Sequence, residues 1–126
     1  MSIPHVPTSW GELLDKITTL EIKAARLPTR AARANAEKEL ALLKAIAAPV
    51  LAEATPLAAK LKALNERLWE IEDRIRDHER AKDFGDAFIA LARSVYQTND
   101  KRGRIKREIN EALGSGLIEE KSYQPY

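Results

Sequence analysis

A chain of 126 residues, 44% hydrophobic and 32% charged, suits one small, helix-rich domain with a single modest core. It contains no cysteine, which excludes disulfides, thiolate metal sites and a cysteine nucleophile. The formal net charge is +2 and mixed along the chain, with 9 basic and 6 acidic residues over 1–63 and 12 and 13 over the rest, which argues against a dedicated nucleic-acid binder.

Residues 1–8 read as extended, because Pro4 and Pro7 each disfavour helix in the residue before them. Ser9-Trp10-Gly11-Glu12 has the form of a capping box, with Ser9 holding a backbone N–H and Glu12 reaching back. The first helix is placed at 9–27, with Trp10, Leu13, Leu14, Ile17, Leu20, Ala24 and Leu27 as its apolar stripe and Pro28 as its stop. A second, alanine-rich helix capped by Thr29 covers 30–47 and ends at Pro49. Its small side chains let it lie close to a neighbour. Thr55-Pro56 reads as a cap followed by a first-turn proline, which opens a third helix over 56–82. Its stripe, Leu57, Leu61, Leu64, Leu68, Ile71 and Ile75, alternates steps of four and three, the seam of a coiled coil. Glu70 with Arg74 and Glu72 with Arg76 stand four apart in the favoured order. Asp83 caps a fourth helix over 84–113, closed by Gly114, and residues 114–126 form a tail.

A 30-residue helix is about 45 Å long, whereas a compact chain of this size has a radius of gyration of about 14 Å. The expected architecture is therefore all-α: four helices, with an elongated antiparallel pair of long helices covered by an N-terminal helical hairpin, in one domain. Bare apolar surface on such a pair favours a homodimer. Residues 1–30 lack a basic region followed by an apolar run, so no signal peptide is expected, and the longest apolar stretch, 45–52, is too short to span a bilayer.

The fourth helix breaks its own pattern. Its core-side positions run Phe88, Leu91, Val95, then Asn99 and Arg102, then Ile105, Ile109 and Leu113. An unpartnered buried polar group costs about 1–3 kcal/mol, so two in consecutive slots point to a splayed end or a polar pocket.

Three blocks carry a family resemblance. They are Ser9-Trp10-Gly11-Glu12-Leu13-Leu14-Asp15-Lys16-Ile17-Thr18 with Leu20-Glu21-Ile22-Lys23; Asn65 with Leu68-Trp69-Glu70-Ile71-Glu72-Asp73 and Ile75-Arg76; and Asp83-Phe84-Gly85 with Leu91-Ala92-Arg93-Ser94-Val95-Tyr96, Thr98-Asn99-Asp100, Arg102, Lys106 and Ile109-Asn110. The ending Glu119-Glu120-Lys121-Ser122-Tyr123 fits as well. Together they resemble a group of uncharacterised bacterial proteins catalogued as a domain of unknown function. The resemblance spans nearly the whole chain apart from 28–60. It implies a bacterial, cytoplasmic protein and nothing about substrate.

Lys16, Glu21, Arg93, Asn99 and Arg102 are the candidate ligand-binding residues. Converging with Asp15, Lys23, Asn65, Glu66, Glu72 and Asp73, they would line a polar pocket inside a bundle, and a buried arginine there would favour an anion. The preferred reading is that these groups satisfy one another and fix helix register. Glu66, Glu70 and Asp73 recur at helical spacing, as magnesium ligands do in all-α nucleotide pyrophosphohydrolases, but Arg67, Arg74 and Arg76 interleave and suggest a solvated, salt-bridged face. No metal or cofactor is expected. The long helices and basic groups are compatible with small mutases of the chorismate type, with no motif to tie the chain to them. Lys101, Arg102, Arg104, Lys106 and Arg107 form the densest basic run, read as a solvated helix end more than a phosphate-binding patch. Gly103 within it suits close approach by another helix or the tail. Asp83-Phe84-Gly85 matches a kinase magnesium motif by chance, since the accompanying loops are absent. Catalytic residues are not identifiable. The leading expectation is a non-enzymatic interaction or accessory protein that meets an unidentified protein partner through a helical face and the tail, without a membrane or nucleic acid. The alternative is an anionic-ligand-binding protein or small helical enzyme, and nucleic-acid binding comes third.

Overall fold

The computed structural model describes residues 2–126, so Met1 of the extended N-terminal segment lies outside it. The chain is all-α. Its helices are α1 (Trp10–Arg26), α2 (Arg30–Ala47), α3 (Leu51–Ala81) and α4 (Asp86–Ala112).

α1 forms where expected because every early N–H finds an acceptor, which a helix start needs. Glu12 N donates to Ser9 Oγ at 3.1 Å and Leu13 N to Ser9 O at 3.1 Å. Trp10 N donates to Ser115 Oγ at 3.3 Å and Gly11 N to Asn110 Oδ1 at 2.7 Å, so α4 and the tail complete the cap of α1. Only half of the capping box forms. The Glu12 carboxylate turns away from Ser9 to Lys106, because a charged partner outweighs a second bond to a backbone N–H.

The second correction concerns α2 and α3. Pro49 does not separate them by a loop. Ala48 and Val50 keep helical backbone angles, Val50 N donates to Ala47 O, and the helical run can be followed from Arg30 to Ala81, which leaves three helices when it is counted as one. The run nonetheless bends sharply. Glu21 Oε2 lies 3.9 Å from Lys44 Nζ and 3.7 Å from Lys62 Nζ, although these lysines would stand about 27 Å apart on a straight helix. α3 therefore begins at Leu51 and not at Pro56. Pro56 sits in its second turn, where the chain loses one backbone donor, and Thr55 Oγ1 donates to Leu51 O at 2.7 Å. α4 starts later than expected, at Asp86 with Gly85 as its cap, because Asp83 spends its carboxylate on Gly85 N.

α1 is the central element. It lies in the crook of the α2–α3 bend and packs on α2, α3 and α4, while α3 and α4 run antiparallel. The expected N-terminal hairpin is present, but only its α1 limb covers the long pair, and α2 lies on the far side of α1. The core joins Leu13, Leu14 and Ile17 to Ala47, Ala54, Leu61 and Ile109, with Leu14, Leu61 and Ile109 fully enclosed. Beyond Ile71 on α3 and before Leu91 on α4 no residue is buried, so the pair continues as a two-helix arm. Phe84 and Phe88 meet edge-on at 5.2 Å at its tip. The accessible surface is 8623 Å². A compact 14.1 kDa chain would expose about 6,700 Å², so the extended outline leaves more than a quarter extra surface in water.

Candidate functional site

The α1, α3 and α4 interface carries a buried polar network. Asp15, 5% exposed, accepts Asn65 Nδ2 on Oδ1 at 2.8 Å and Arg102 on Oδ2 at 2.9 Å. The same Asn65 amide donates to Thr18 Oγ1, and Thr18 donates to Asp15 O. One turn along α4, Lys106 is 6% exposed and donates to Glu12 Oε2 at 2.6 Å and to Glu119 Oε2 at 3.1 Å, with Asp15 Oδ2 at 3.9 Å. Asn110 completes the line by capping α1. Among the described residues no enclosed side-chain nitrogen or oxygen is left without a partner.

Glu119 belongs to the tail. After Gly114 the chain turns back along α4, from Lys106 and Arg107 to Gly103 and then Asp100. Arg107 meets Glu120 at 3.3 Å, Lys121 crosses Gly103, and Tyr126 OH donates to Asp100 Oδ2 at 2.6 Å. The Tyr126 ring stands edge-on to Tyr96 at 5.1 Å. A Cβ on Gly103 would lie 3.2 Å from Lys121 Cε, so the glycine makes room for the tail.

Burial would lower the Lys106 ammonium, but the hydrogen bonds it donates to Glu12 and Glu119 and the nearby Asp15 charge carry it above its ordinary value. Lys121, opposed by burial and then aided by Lys106, pulls the Glu119 carboxylate down to about 2. A depressed carboxylate stabilises the fold above its ordinary value and ceases to do so as pH falls through the folded one. The pairing of Glu119 with Lys121 and Lys106 should therefore hold at neutral pH and weaken between pH about 4.5 and about 2. NMR signals from the Lys106 and Lys121 side chains should shift in that window; unchanged signals down to pH about 2 would contradict this.

Two clefts flank the Asn99–Arg102 pair. One, of about 570 Å³, lies under the tail between Tyr96, Gly103, Tyr123 and Tyr126. The other, of about 620 Å³, opens where α1 ends, between Lys23, Asn65, Trp69, Asp73 and Arg76. Both volumes lie in the range that takes small molecules.

Of the five candidate residues, the structure brings together only Asn99 and Arg102, whose side chains bond at 3.1 Å. Lys16 pairs with Glu39 on α2 at 2.8 Å, Glu21 joins Lys44 and Lys62 across the bend, and Arg93 is exposed on the arm side of α4. Asn99 is exposed, and its neighbour Thr98 takes the buried slot. Glu70 reaches across to Arg26 at 3.6 Å, while Glu72 pairs with Arg76 as expected. The basic run is not one solvated helix end: Lys101 and Arg104 face water, but Lys106 is among the most enclosed polar residues in the chain.

Lys106, Thr18, Asn110 and Glu119 were missed as site residues. Helical spacing held a signal for Lys106, which lies four residues after Arg102 and so shares its face. All four residues also sit in the sequence blocks that carry the family resemblance.

These features define a class of protein: an all-α bundle whose central helix is tied in by a buried ion network and closed by its own C-terminal tail. The chain belongs to a family of unknown function, DUF6165, whose profile matches residues 5–126. No curated protein and no solved structure matches it.

Proposed function

We propose that this is a non-enzymatic helical adaptor that binds a protein partner through the outer face of α2 and the bend into α3. One observation carries the reading. The run Arg30–Ala81 contains an 18-residue window apolar enough, by length and composition, to cross a membrane, and only 11% of that window is buried. Leu42 and Ile46 are 46% and 54% exposed and stand four residues apart on α2, with Ala41, Ala45 and Ala48 exposed beside them. An outward apolar helical face with small residues offers close packing to another helix. The self-satisfied ion network acts as the frame that holds this face in place.

The test is photo-crosslinking in the source cell with a reactive side chain at Ile46, repeated in the Leu42→Glu background. A single dominant protein adduct that the glutamate abolishes, with Tm unchanged, is the expected result, since surface substitutions of this kind stay within about 0.5 kcal/mol. Lipid adducts in place of protein would reject the adaptor reading.

A second reading draws on the two clefts. Asn99 and Arg102 line both, and Trp69 and Tyr123 supply flat apolar walls, which suits a small anionic or aromatic ligand. A thermal-shift screen of nucleotides and carboxylic acids tests it. A ligand at a hundred times its Kd adds about 2.7 kcal/mol of stability, and the gain should vanish in Arg102→Ala.

A further inference from the structure

All three tyrosines of the chain line one cleft. Tyr96 comes from α4 and Tyr123 and Tyr126 from the tail, and each is exposed where it borders the space of about 570 Å³. Tyr96 and Tyr126 stand edge-on, an arrangement that leaves ring faces uncovered. Lys121 Nζ stands 5.6 Å from the centre of the Tyr123 ring, so a cation already lies beside this aromatic wall. The lining is also unbalanced in charge. It holds Arg102, Lys106 and Lys121 against the single carboxylate of Asp100, which already accepts from Tyr126. Lys106 and Lys121 are satisfied by Glu12 and Glu119, so the spare capacity lies with Arg102. A guanidinium carries more N–H donors than the two that Arg102 spends on Asn99 Oδ1 and Asp15 Oδ2. Asn99 turns its oxygen to Arg102, which leaves its amide N–H groups for another acceptor. Guanidinium and amide together present the paired donors that a carboxylate takes. The cleft where α1 ends differs on both counts. Its aromatic wall is Trp69 alone, and Glu72 and Asp73 stand in its lining, where like charge repels an acid.

We infer that the cleft under the tail binds an aromatic carboxylate, with its ring among the three tyrosines and its carboxylate on Arg102 and Asn99. The inference rests on the ligand-binding reading above and narrows it to one cleft and one class of ligand. Ring and charge have separate tasks. Aromatic walls supply apolar contact with little direction, and the charge-assisted bonds fix which end points inward. Arg102 suits the second task because the buried Asp15 already holds its guanidinium, so less side-chain freedom is lost on binding. A ligand in this position touches α4 and the tail together. The apolar face of α2 takes no part and stays free for a protein partner.

The test is an NMR titration of the full, isotope-labelled chain with naphthoate. Naphthamide, which lacks the charge, and the saturated decalin carboxylate, which lacks the aromatic ring, serve as controls. The expected result is saturable movement of the Gly103 and Tyr123 amide signals, which belong to this cleft and not to the other. Each control should bind at least about threefold more weakly. Tyr123→Ala and Asn99→Ala alter exposed positions and should keep Tm, while each weakens naphthoate by about three- to tenfold. Equal binding of the acid and its amide overturns the inference, as does full affinity in either variant. Signals that move at Lys23 and Trp69 in place of Gly103 and Tyr123 put the acid in the other cleft. The inference then fails while the ligand-binding reading stands. No movement with naphthoate also overturns the inference, and the thermal-shift screen then decides the broader reading by itself.

Discussion

Asp15→Ala should be the most damaging polar substitution in the chain. The carboxylate holds Asn65 on one oxygen and Arg102 on the other, with Lys106 close by, and it ties all three core helices at one point. Its removal leaves the Asn65 amide with Thr18 alone, frees a guanidinium that is 30% exposed, and takes one counter-charge from an ammonium that is 7% exposed. Removing one partner from a buried ion pair costs about 3–5 kcal/mol, and this site falls at the lower end because Arg102 is partly in water and Lys106 keeps Glu12 and Glu119. For a chain of this length that is a fall in Tm of about 10–20 °C. Asn65→Ala loses neutral hydrogen bonds only and should cost about 1–3 kcal/mol. Thermal unfolding of the two variants side by side checks both magnitude and order. If Asp15→Ala cost less than Asn65→Ala, the charged tie would not hold the bundle together.

The expected polar break in the fourth helix is present and Arg102 occupies it, but Asn99 does not. A period of 3.6 leaves each helical slot ambiguous by one residue, so the stripe points to Asn99 where the structure encloses Thr98. The densest basic run takes in Lys106, although that residue falls on the Arg102 face. The partner of Lys106 could not be found by periodicity at all: Glu119 arrives from a tail with no helical register, and Glu12 was already engaged in an apparent capping box. The helix boundaries failed for a different reason. Pro49 ends α2 at Ala47 as read, but Pro56 does not open α3, which already begins at Leu51 because Leu51 and Leu57 pack against the core that α1 organises. Tertiary burial outweighed local propensity there. The divergence of Lys16 and Glu21 from Arg102 was equally illegible, since it follows from the bend that carries α2 away from the long pair.

Gly11→Ala should reverse the usual sign of a glycine-to-alanine change in a helix. Gly11 lies in α1, where alanine would ordinarily stabilise by about 1 kcal/mol through propensity. A Cβ there would lie 2.5 Å from Lys106 O and 2.9 Å from Asn110 Oδ1, so it would strike the backbone of α4 and the acceptor that caps Gly11 N. Neither can yield cheaply, because the carbonyl belongs to a helix and Asn110, 2% exposed, is fixed in the core. α1 must move away from α4, stretching the Gly11–Asn110 bond and the nearby Glu12–Lys106 pair together. Overpacking of this kind costs about 1–3 kcal/mol, and a weakened buried hydrogen bond adds about 1 kcal/mol. The net expectation is destabilisation by about 1–3 kcal/mol, read by urea unfolding. The contrast with Gly103 sharpens the test: both are helical glycines, but a Cβ at Gly103 meets only the flexible end of Lys121, so alanine there should leave the core intact. A neutral or stabilising Gly11→Ala would mean that α1 and α4 do not approach so closely, and the cap donated by Asn110 would fall with it.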